Sequence, residues 1–474
     1  MEAARGKIES IMGKLAMNID RWLRTKALIP IWLQYRNVRY DQELSFIRSL
    51  HEKSLEEIRK YQLERIKKLI SHAYDNVPFY RKQWEEAGLK PGDIKSYDDF
   101  EKLPVLTKKQ IRENWNLLIS KTSVVDRLIR SGTGGTTDSP ITILYSYERA
   151  RIKEAEMHFF REWFNWMPGD KVAYLWGAPQ DIQNIDSLRY QLLNRLTYRK
   201  LHLFSSLMNS SIMMEFVEKL NRFKPDILQA YSNPAYILAN FIQRKQLEIA
   251  PPKAIVLTAE SCHPSQRKVI EEAFKAEVFT FYGCREGGYV GCECPSHSGY
   301  HINCSGIYLE VLRGGRKAEH DQLGDVVFTD LYNFDMPFIR YQIGDLASPT
   351  WAKCSCSSSL PLINFFAGRE TDVFVTPDGE YVPGVSLCDR IIEDCKGIEQ
   401  MQFIQDIPEV LTVKIVKGPL YSEKDLHQLE MGLSRYFKGK LSIIKVFVDE
   451  IPKELSGKTR FCISNVGKGM SYGQ

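Results

Sequence analysis

From about residue 128 the chain alternates short apolar runs with stretches of helical periodicity, and this alternation constrains the fold more than any other feature. The runs lie at 127–130, 172–176, 227–231, 254–258 and 278–282, with a helical pattern at 265–274 between the last two. Strand-length apolar runs separated by helices stack as layers, so the class predicted is α/β. Two later runs, 306–312 and 325–331, separated by a turn containing Gly314-Gly315, predict an extension of the sheet.

Flanking segments read differently. Residues 1–125 form a mainly helical lead-in. In its opening, Ile8, Ile11, Met12, Leu15, Ile19, Trp22 and Leu23 recur at helical spacing, with Lys7, Lys14, Arg21, Arg24 and Lys26 between them. Such a basic amphipathic helix either packs on its own domain or lies on an anionic membrane surface, the contact then running through residues 1–40. A second helical run, 55–74, leads into Asn76-Val77-Pro78, where proline ends it. At the far end, strands at 401–405, 411–416 and 443–448 surround a helix at 422–437, started by Ser422 and Asp425 and stopped by Gly439. This is a small α+β unit. The turn-rich segment 368–384 joins it to the body, and a boundary near Asp372 divides a large domain, 1–371, from a small one, 372–474.

The 474 residues are ample for a sizeable core. Lysine and arginine exceed aspartate and glutamate by 64 to 59, and a net charge of +5 on so long a chain calls for no nucleic acid. No apolar run reaches the roughly 18 residues of a membrane span, and the opening lacks the apolar block of a secretory signal, so a cytoplasmic protein is expected. Cysteine usage agrees with a reducing compartment: Cys292, Cys294, Cys304, Cys354 and Cys356 crowd together at spacings that suit a metal better than disulfides. Nothing here sets the oligomeric state.

Several short motifs carry chemistry. Ser131-Gly132-Thr133-Gly134-Gly135-Thr136-Thr137 follows a predicted strand, and its glycines and hydroxyls let backbone N–H groups close around phosphate oxygens. It matches neither the P-loop nor the dinucleotide fingerprint, and a plain surface turn is the alternative. Tyr282-Gly283-Cys284-Arg285-Glu286-Gly287-Gly288 sits at a strand end, where an aromatic face and a carboxylate can meet a base and a metal-bound phosphate. Asp345 offers a carboxylate to ribose hydroxyls. Arg369 and Asp372 follow, then Lys458 near the end. Taken singly, Asp345 and Asp372 are ordinary turn formers and Lys458 a solvated charge. The order along the chain carries the information. Separately, Cys294, His301, Cys354 and Cys356 supply three thiolates and an imidazole, enough for a closed, structural zinc site. Cys292 and His297 compete as ligands, and buried free thiols beside an exposed histidine are the alternative.

In this order the motifs resemble the adenylate-forming superfamily, and within it the phenylacetate-CoA ligase family, especially members found in capsular-polysaccharide gene neighbourhoods. The resemblance also takes in 72–81, 103–108, 225–231 and Thr258-Ala259-Glu260-Ser261, and so spans nearly the whole chain. It implies a large multi-sheet domain with a small mobile α+β lid that turns about Asp372. It also implies an ATP- and Mg²⁺-dependent ligase that converts a small-molecule carboxylic acid, by default an aryl or arylacetic acid, into an acyl-adenylate and passes the acyl group to a thiol, by default that of CoA. By position, Ser131, Gly132, Thr133, Gly134, Gly135, Thr136 and Thr137 hold the β- and γ-phosphates. Tyr282 stacks on adenine, with Gly283, Ala259 and Glu260 also at the nucleotide. Glu286 binds Mg²⁺, Asp345 holds the ribose and Arg369 supports the nucleotide. Tyr231, Thr258 and Ser261 belong to the acyl pocket. Lys458 reaches in from the lid and, with Mg²⁺, neutralises charge developing on the transferring oxygens. Two departures from the family pattern stand out. The phosphate loop has two extra residues before Pro140 and no lysine, and Arg285 stands where many relatives have Thr or Ser, so that a guanidinium meets the α-phosphate. An amine or hydroxyl acceptor, or a zinc-stabilised scaffold without turnover, are the competing outcomes.

Overall fold

The structure, a computed structural model, describes residues 22–132, 141–176, 187–197, 199–205, 208–259, 262, 264–350, 352–356, 358–369, 373–378, 381–383, 395, 397–437, 439, 441–452 and 462–466. The alternating middle of the chain builds one side of a twelve-stranded sheet. Lys200–Phe204, Val172–Trp176, Ile227–Tyr231, Ala254–Thr258 and Glu277–Cys284 lie side by side and parallel, in that spatial order. The helices Ser210–Phe223, Ser232–Arg244 and Pro264–Phe274 lie in the crossovers between them. Strands covered on both faces need apolar residues at every position rather than every second one. Ile227–Tyr231 and Ala254–Thr258 are accordingly buried throughout.

After Cys284 the chain reverses. Gly288–Glu293 returns antiparallel to Glu277–Cys284, and Tyr300–Ile302, Leu362–Arg369, Tyr341–Thr350, Gly324–Asp330, Ile307–Arg313 and Arg316–Lys317 continue the sheet in antiparallel pairs. The predicted extension is there, with one correction. The Gly314-Gly315 turn folds Ile307–Arg313 back onto the short strand Arg316–Lys317, and Gly324–Asp330 pairs on its other side. Both glycines have positive φ, 58° and 75°, which a side chain resists.

The lead-in wraps the antiparallel side. Ser54 starts the helix Leu55–Asn76 with a capping box to Glu57. Pro78, which was expected to end that helix, also opens the next one, Pro78–Glu86, because a first-turn residue needs no N–H partner. Two lead-in side chains then bond carbonyls at the start of Ile307–Arg313: Tyr61 donates to Ser305, and Gln62 to Cys304 and Ile307. In return Arg340 donates to the carbonyls of Glu101 and Leu103. The helix Asp41–His51, absent from the sequence reading, buries Leu44, Ile47 and Leu50.

The small C-terminal unit has its own four-stranded sheet, in the order Ser442–Phe447, Val410–Lys417, Ile398–Ile407, Cys462–Ser464. Its central pair is antiparallel and both outer strands run parallel to their neighbours. Leu429, Leu433 and Phe437 of the helix Glu423–Phe437 pack with Phe403, Leu411, Val413 and Ile415 in a separate core. Asp425 accepts from the Ser422 backbone and hydroxyl, both at 2.8 Å, and Gly439 closes the helix at φ 70°.

Candidate active site

Where a sheet changes strand direction, the carboxyl ends of its parallel strands are left open for a ligand. Three predicted segments meet at that edge. Tyr231 ends one strand and pairs in register with Thr258, which ends the next. Tyr282, Gly283, Arg285 and Glu286 occupy the end of Glu277–Cys284 and the turn that follows, where the parallel half gives way to the antiparallel half. Ala259, directly after Thr258, has φ 71°, a left-handed conformation that costs about 1 kcal/mol or more for a residue with a Cβ. Gly283 has a steric reason to be glycine: a Cβ there would lie 2.8 Å from the Gly288 carbonyl oxygen.

Hydrogen bonds connect the motifs. The Tyr282 hydroxyl donates to Asp345 Oδ2 at 2.6 Å, and Asp345 sits directly across the ladder from Arg369. Burial, and after it the Asp345 charge, push the Tyr282 phenol well above its ordinary value, so it remains a donor. Glu286 is buried and accepts from the Tyr341 hydroxyl at 3.2 Å. Arg285 Nη1 donates to the Gly132 carbonyl, which joins this turn to the hairpin of Ile129–Gly132 and Thr142–Tyr145, and hence to Ser131. Thus Ser131, Gly132, Tyr282, Gly283, Arg285, Glu286, Asp345 and the Arg369 backbone fall in one neighbourhood. Thr133, Gly134, Gly135, Thr136, Thr137, Glu260, Ser261, Asp372 and Lys458 lie outside the described residues.

The sequence reading missed two residues that hold the central turn. Both come from the helix Tyr147–Glu162. Lys153 Nζ donates to the carbonyls of Arg285 (3.1 Å) and Glu286 (3.0 Å). Arg149, fully buried, donates to the Gly287 carbonyl at 3.0 Å, to Asp330 at 2.8 Å and to Glu156 at 3.2 Å. Burial, followed by the nearby Arg149 charge, lowers the Lys153 ammonium to about 8. A signal did exist: Arg149, Lys153 and Glu156 fall at i, i+4 and i+7, on the helical stripe that continues to the core residue Phe160. Charges sharing a stripe with core residues are buried, and buried charges need partners.

A second cluster lies in the antiparallel half. The ligand atoms of Cys294, His301, Cys354 and Cys356 all fall within 4.8 Å of one another, with Cys294 Sγ 3.5 Å from Cys354 Sγ and Cys356 Sγ 3.2 Å from His301 Nε2. The competing residues are engaged elsewhere. Cys292 is buried against the Glu293 carbonyl, and His297 bonds Glu277 at 2.9 Å and lies 3.5 Å from Glu293. Burial lowers the His301 pKa, which favours the neutral imidazole that a metal requires. Three sulfurs and one nitrogen converging on one point fit a tetrahedral, sulfur-preferring ion.

Comparison with known proteins agrees with this architecture. Residues 374–465 match the CapK C-terminal domain family. Protein CapK of Staphylococcus aureus is 25% identical over 420 residues, spanning 85% of this chain and 89% of that protein. Phenylacetate-coenzyme A ligase of Pseudomonas putida is 24% identical over 423 residues, spanning 86% and 91%. Among solved structures, 2-hydroxyisobutyryl-CoA ligase in the postadenylation state, in complex with R3-HIB-AMP, superposes with a TM-score of 0.72 at 20% identity, covering 88% of this chain and 91% of that one. The fold is that of the adenylate-forming CoA ligases. Together these likenesses support a phenylacetate-CoA ligase-like, adenylate-forming family for the chain, as its motif order implied.

Proposed function

We propose that the chain is an ATP-dependent, AMP-forming acid–thiol ligase. The observation that carries this reading is the convergence of Tyr282, Asp345, Glu286 and Arg285 with the Gly132 end of the phosphate hairpin at the carboxyl edge of the parallel strands. A carboxylate is a poor electrophile. Its oxygen attacks the α-phosphorus of ATP, the bond to the bridging oxygen breaks, and pyrophosphate leaves. The thiol sulfur of CoA then attacks the acyl carbon and AMP departs. Asp345 accepts from the ribose hydroxyls and Tyr282 presents its ring to adenine, with Gly283, Ala259, Glu260 and Arg369 around the nucleotide. Ser131 to Thr137 hold the β- and γ-phosphates. The Arg285 guanidinium meets the α-phosphate. Glu286, with one oxygen engaged by Tyr341, is the carboxylate that would hold Mg²⁺, whose charge would offset that on the phosphates. Tyr231, Thr258 and Ser261 bound the acyl pocket, with an aryl or arylacetic acid as the default substrate.

The same proposal divides the chain into a large domain, 1–371, and a lid, 372–474, that turns about Asp372 to deliver Lys458 for adenylation and then clears the path for the thiol. Zinc held by Cys294, His301, Cys354 and Cys356 has a structural role, since four protein ligands leave no open position. None of the described helices is long and apolar enough to cross a membrane. A cytoplasmic location, with peripheral membrane contact through residues 1–40, completes the reading.

The test is carboxylate-dependent exchange of pyrophosphate into ATP across a panel of aryl, arylacetic and aliphatic acids. Exchange is expected, with kcat falling at least a hundredfold, roughly, in Lys458→Ala while the KM for ATP changes little. No exchange with any acid defeats the enzymatic reading. Exchange with AMP release that depends on an amine or hydroxyl acceptor, and not on CoA, replaces the thiol as acceptor. Bound zinc below half an equivalent defeats the metal assignment.

A further inference from the structure

Helices of a folded domain normally turn their apolar stripe inward. Two short segments also present large apolar residues outward. In the first, residues 22–36, Ile29 and Leu33 are buried while Trp22, Leu23, Ile31 and Tyr35 are exposed, Ile31 at 66% and Tyr35 at 71%. In the second, the helix Leu188–Leu196, the leucines 188, 192 and 196 recur at i, i+4 and i+8, and all three are exposed, Leu188 at 84%. Of eighteen exposed large apolar side chains among the described residues, these two segments hold seven, so the exposure is concentrated rather than scattered. Though 171 positions apart in sequence, Arg24 and Arg195 join the two elements: Arg24 Nη1 donates to the Arg195 carbonyl and ties the segments together.

Charge indicates what such a surface faces. Residues 22–36 and 188–196 present Arg24, Lys26, Arg36 and Arg195 and carry no aspartate or glutamate. A second copy docked on the same face would bring like charges together with no carboxylate to offset them. An anionic lipid surface meets both features: leucine and isoleucine side chains enter the acyl boundary, tryptophan and tyrosine settle at headgroup level, and each cation near the surface contributes about 1 kcal/mol.

We propose that residues 22–36 and the helix Leu188–Leu196 together form one docking surface for an anionic bilayer. This rests on the peripheral membrane contact within the proposed function and deepens it, since it adds a second element from the body of the large domain. Residues 22–36 are then one half of a composite patch, and the tie between Arg24 and Arg195 holds the two halves in one register.

Sedimentation of the full-length protein with vesicles of phosphatidylcholine alone, or with about one third phosphatidylglycerol, tests this. Unmodified protein is expected to bind the anionic vesicles at least about tenfold more tightly than the neutral ones, and less tightly as salt is raised. Ile31→Glu and the double variant Leu188→Glu/Leu192→Glu are each expected to weaken that binding by about tenfold, with pyrophosphate exchange and thermal midpoint unchanged. Full binding by the leucine variant, with loss in Ile31→Glu, overturns the composite surface while the membrane contact of the start survives. No binding by the unmodified protein overturns both. A dimer detected by light scattering that the leucine substitutions dissociate reassigns the face to a second copy and overturns the proposal.

Discussion

The two halves of the large sheet are held by different physics. In the parallel half, Ile227, Leu228, Ala230, Ile255, Val256, Leu257 and Val278 are buried, so apolar burial between helices supplies nearly all of the cohesion. The antiparallel half leans more on buried charge, with three carboxylates each beside an arginine: Asp330 with Arg149, Glu310 with Arg340, Glu293 with Arg267. It also contains the Cys294, His301, Cys354, Cys356 cluster. Buried ion pairs add little net stability, but removing one member leaves a stranded charge. The parallel half therefore tolerates apolar exchange, while the antiparallel half depends on each specific pairing. There, paired charges distinguish one register from another where apolar contacts alone would not.

Breaking a single pair is the strongest way to test that difference. Arg340→Met, which leaves Glu310 buried and frees the carbonyls of Glu101 and Leu103, is expected to lower stability by about 3–5 kcal/mol in chemical denaturation. The double variant with Glu310→Met should recover much of that loss. In the parallel half Leu257→Ala costs about 3 kcal/mol, and no second substitution nearby restores it except by refilling the space. A loss below about 1 kcal/mol in Arg340→Met removes the contrast.

Next in size is the proposed zinc at the Cys294, His301, Cys354, Cys356 cluster. With zinc at about a hundredfold its dissociation constant, chelation or Cys356→Ser should cost about 2.7 kcal/mol. Hydrogen exchange should quicken at Tyr300–Ile302 and Leu362–Arg369 and stay unchanged at Ile227–Tyr231. Equal acceleration in both places removes the distinction between the halves. Smaller again is Tyr282→Phe, which loses the 2.6 Å bond to Asp345 while keeping the ring. Hydrogen bonds to a charged group contribute about 1.5–3 kcal/mol, so the KM for ATP should rise roughly tenfold or more with little change in fold stability.

The smallest effect concerns Lys153, half-buried where the two halves meet. The fold disfavours its ammonium, so the folded protein releases the proton near pH 8 while the unfolded chain keeps it up to about pH 10.4. Between those values the unfolded state binds more protons, and stability rises with pH. Lys153→Met should abolish that rise in urea titrations at pH 8 and 10. Lys153→Arg keeps the charge on the Arg285 and Glu286 carbonyls, and its kcat/KM for ATP should run flat through pH 8, where that of the unmodified protein declines. Identical profiles remove Lys153 from the positioning of the turn.

Strand-forming runs and the glycine and proline punctuation were readable because they depend on neighbours within a few residues. The runs at 172–176, 227–231 and 254–258 coincide with observed strands, and 278–282 lies within Glu277–Cys284. The parallel order was not readable. Neither was the reversal at Cys284, which depends on the Gly288 backbone returning beside Gly283. Asp41–His51 went unread although Leu44, Ile47 and Leu50 keep helical spacing, because the polar residues between them left the pattern weak. Motif order singled out Tyr282, Glu286 and Asp345 as candidates, which the structure brings to one sheet edge, whereas Arg149 and Lys153 belong to no motif, and their contacts show only in the tertiary structure.

By itself the sequence determined the types of element, the class of fold and the chemical character of each motif, since those follow from side-chain chemistry and local periodicity. Tertiary structure alone decided which motifs meet: Asp345 stands 63 positions beyond Tyr282 and Arg285 is 153 beyond Gly132, yet each pair shares a hydrogen bond. It also decided which of six cysteine and histidine candidates converge on one point. Contacts between distant positions are set by how the whole sheet closes and packs, and no local pattern encodes that distance.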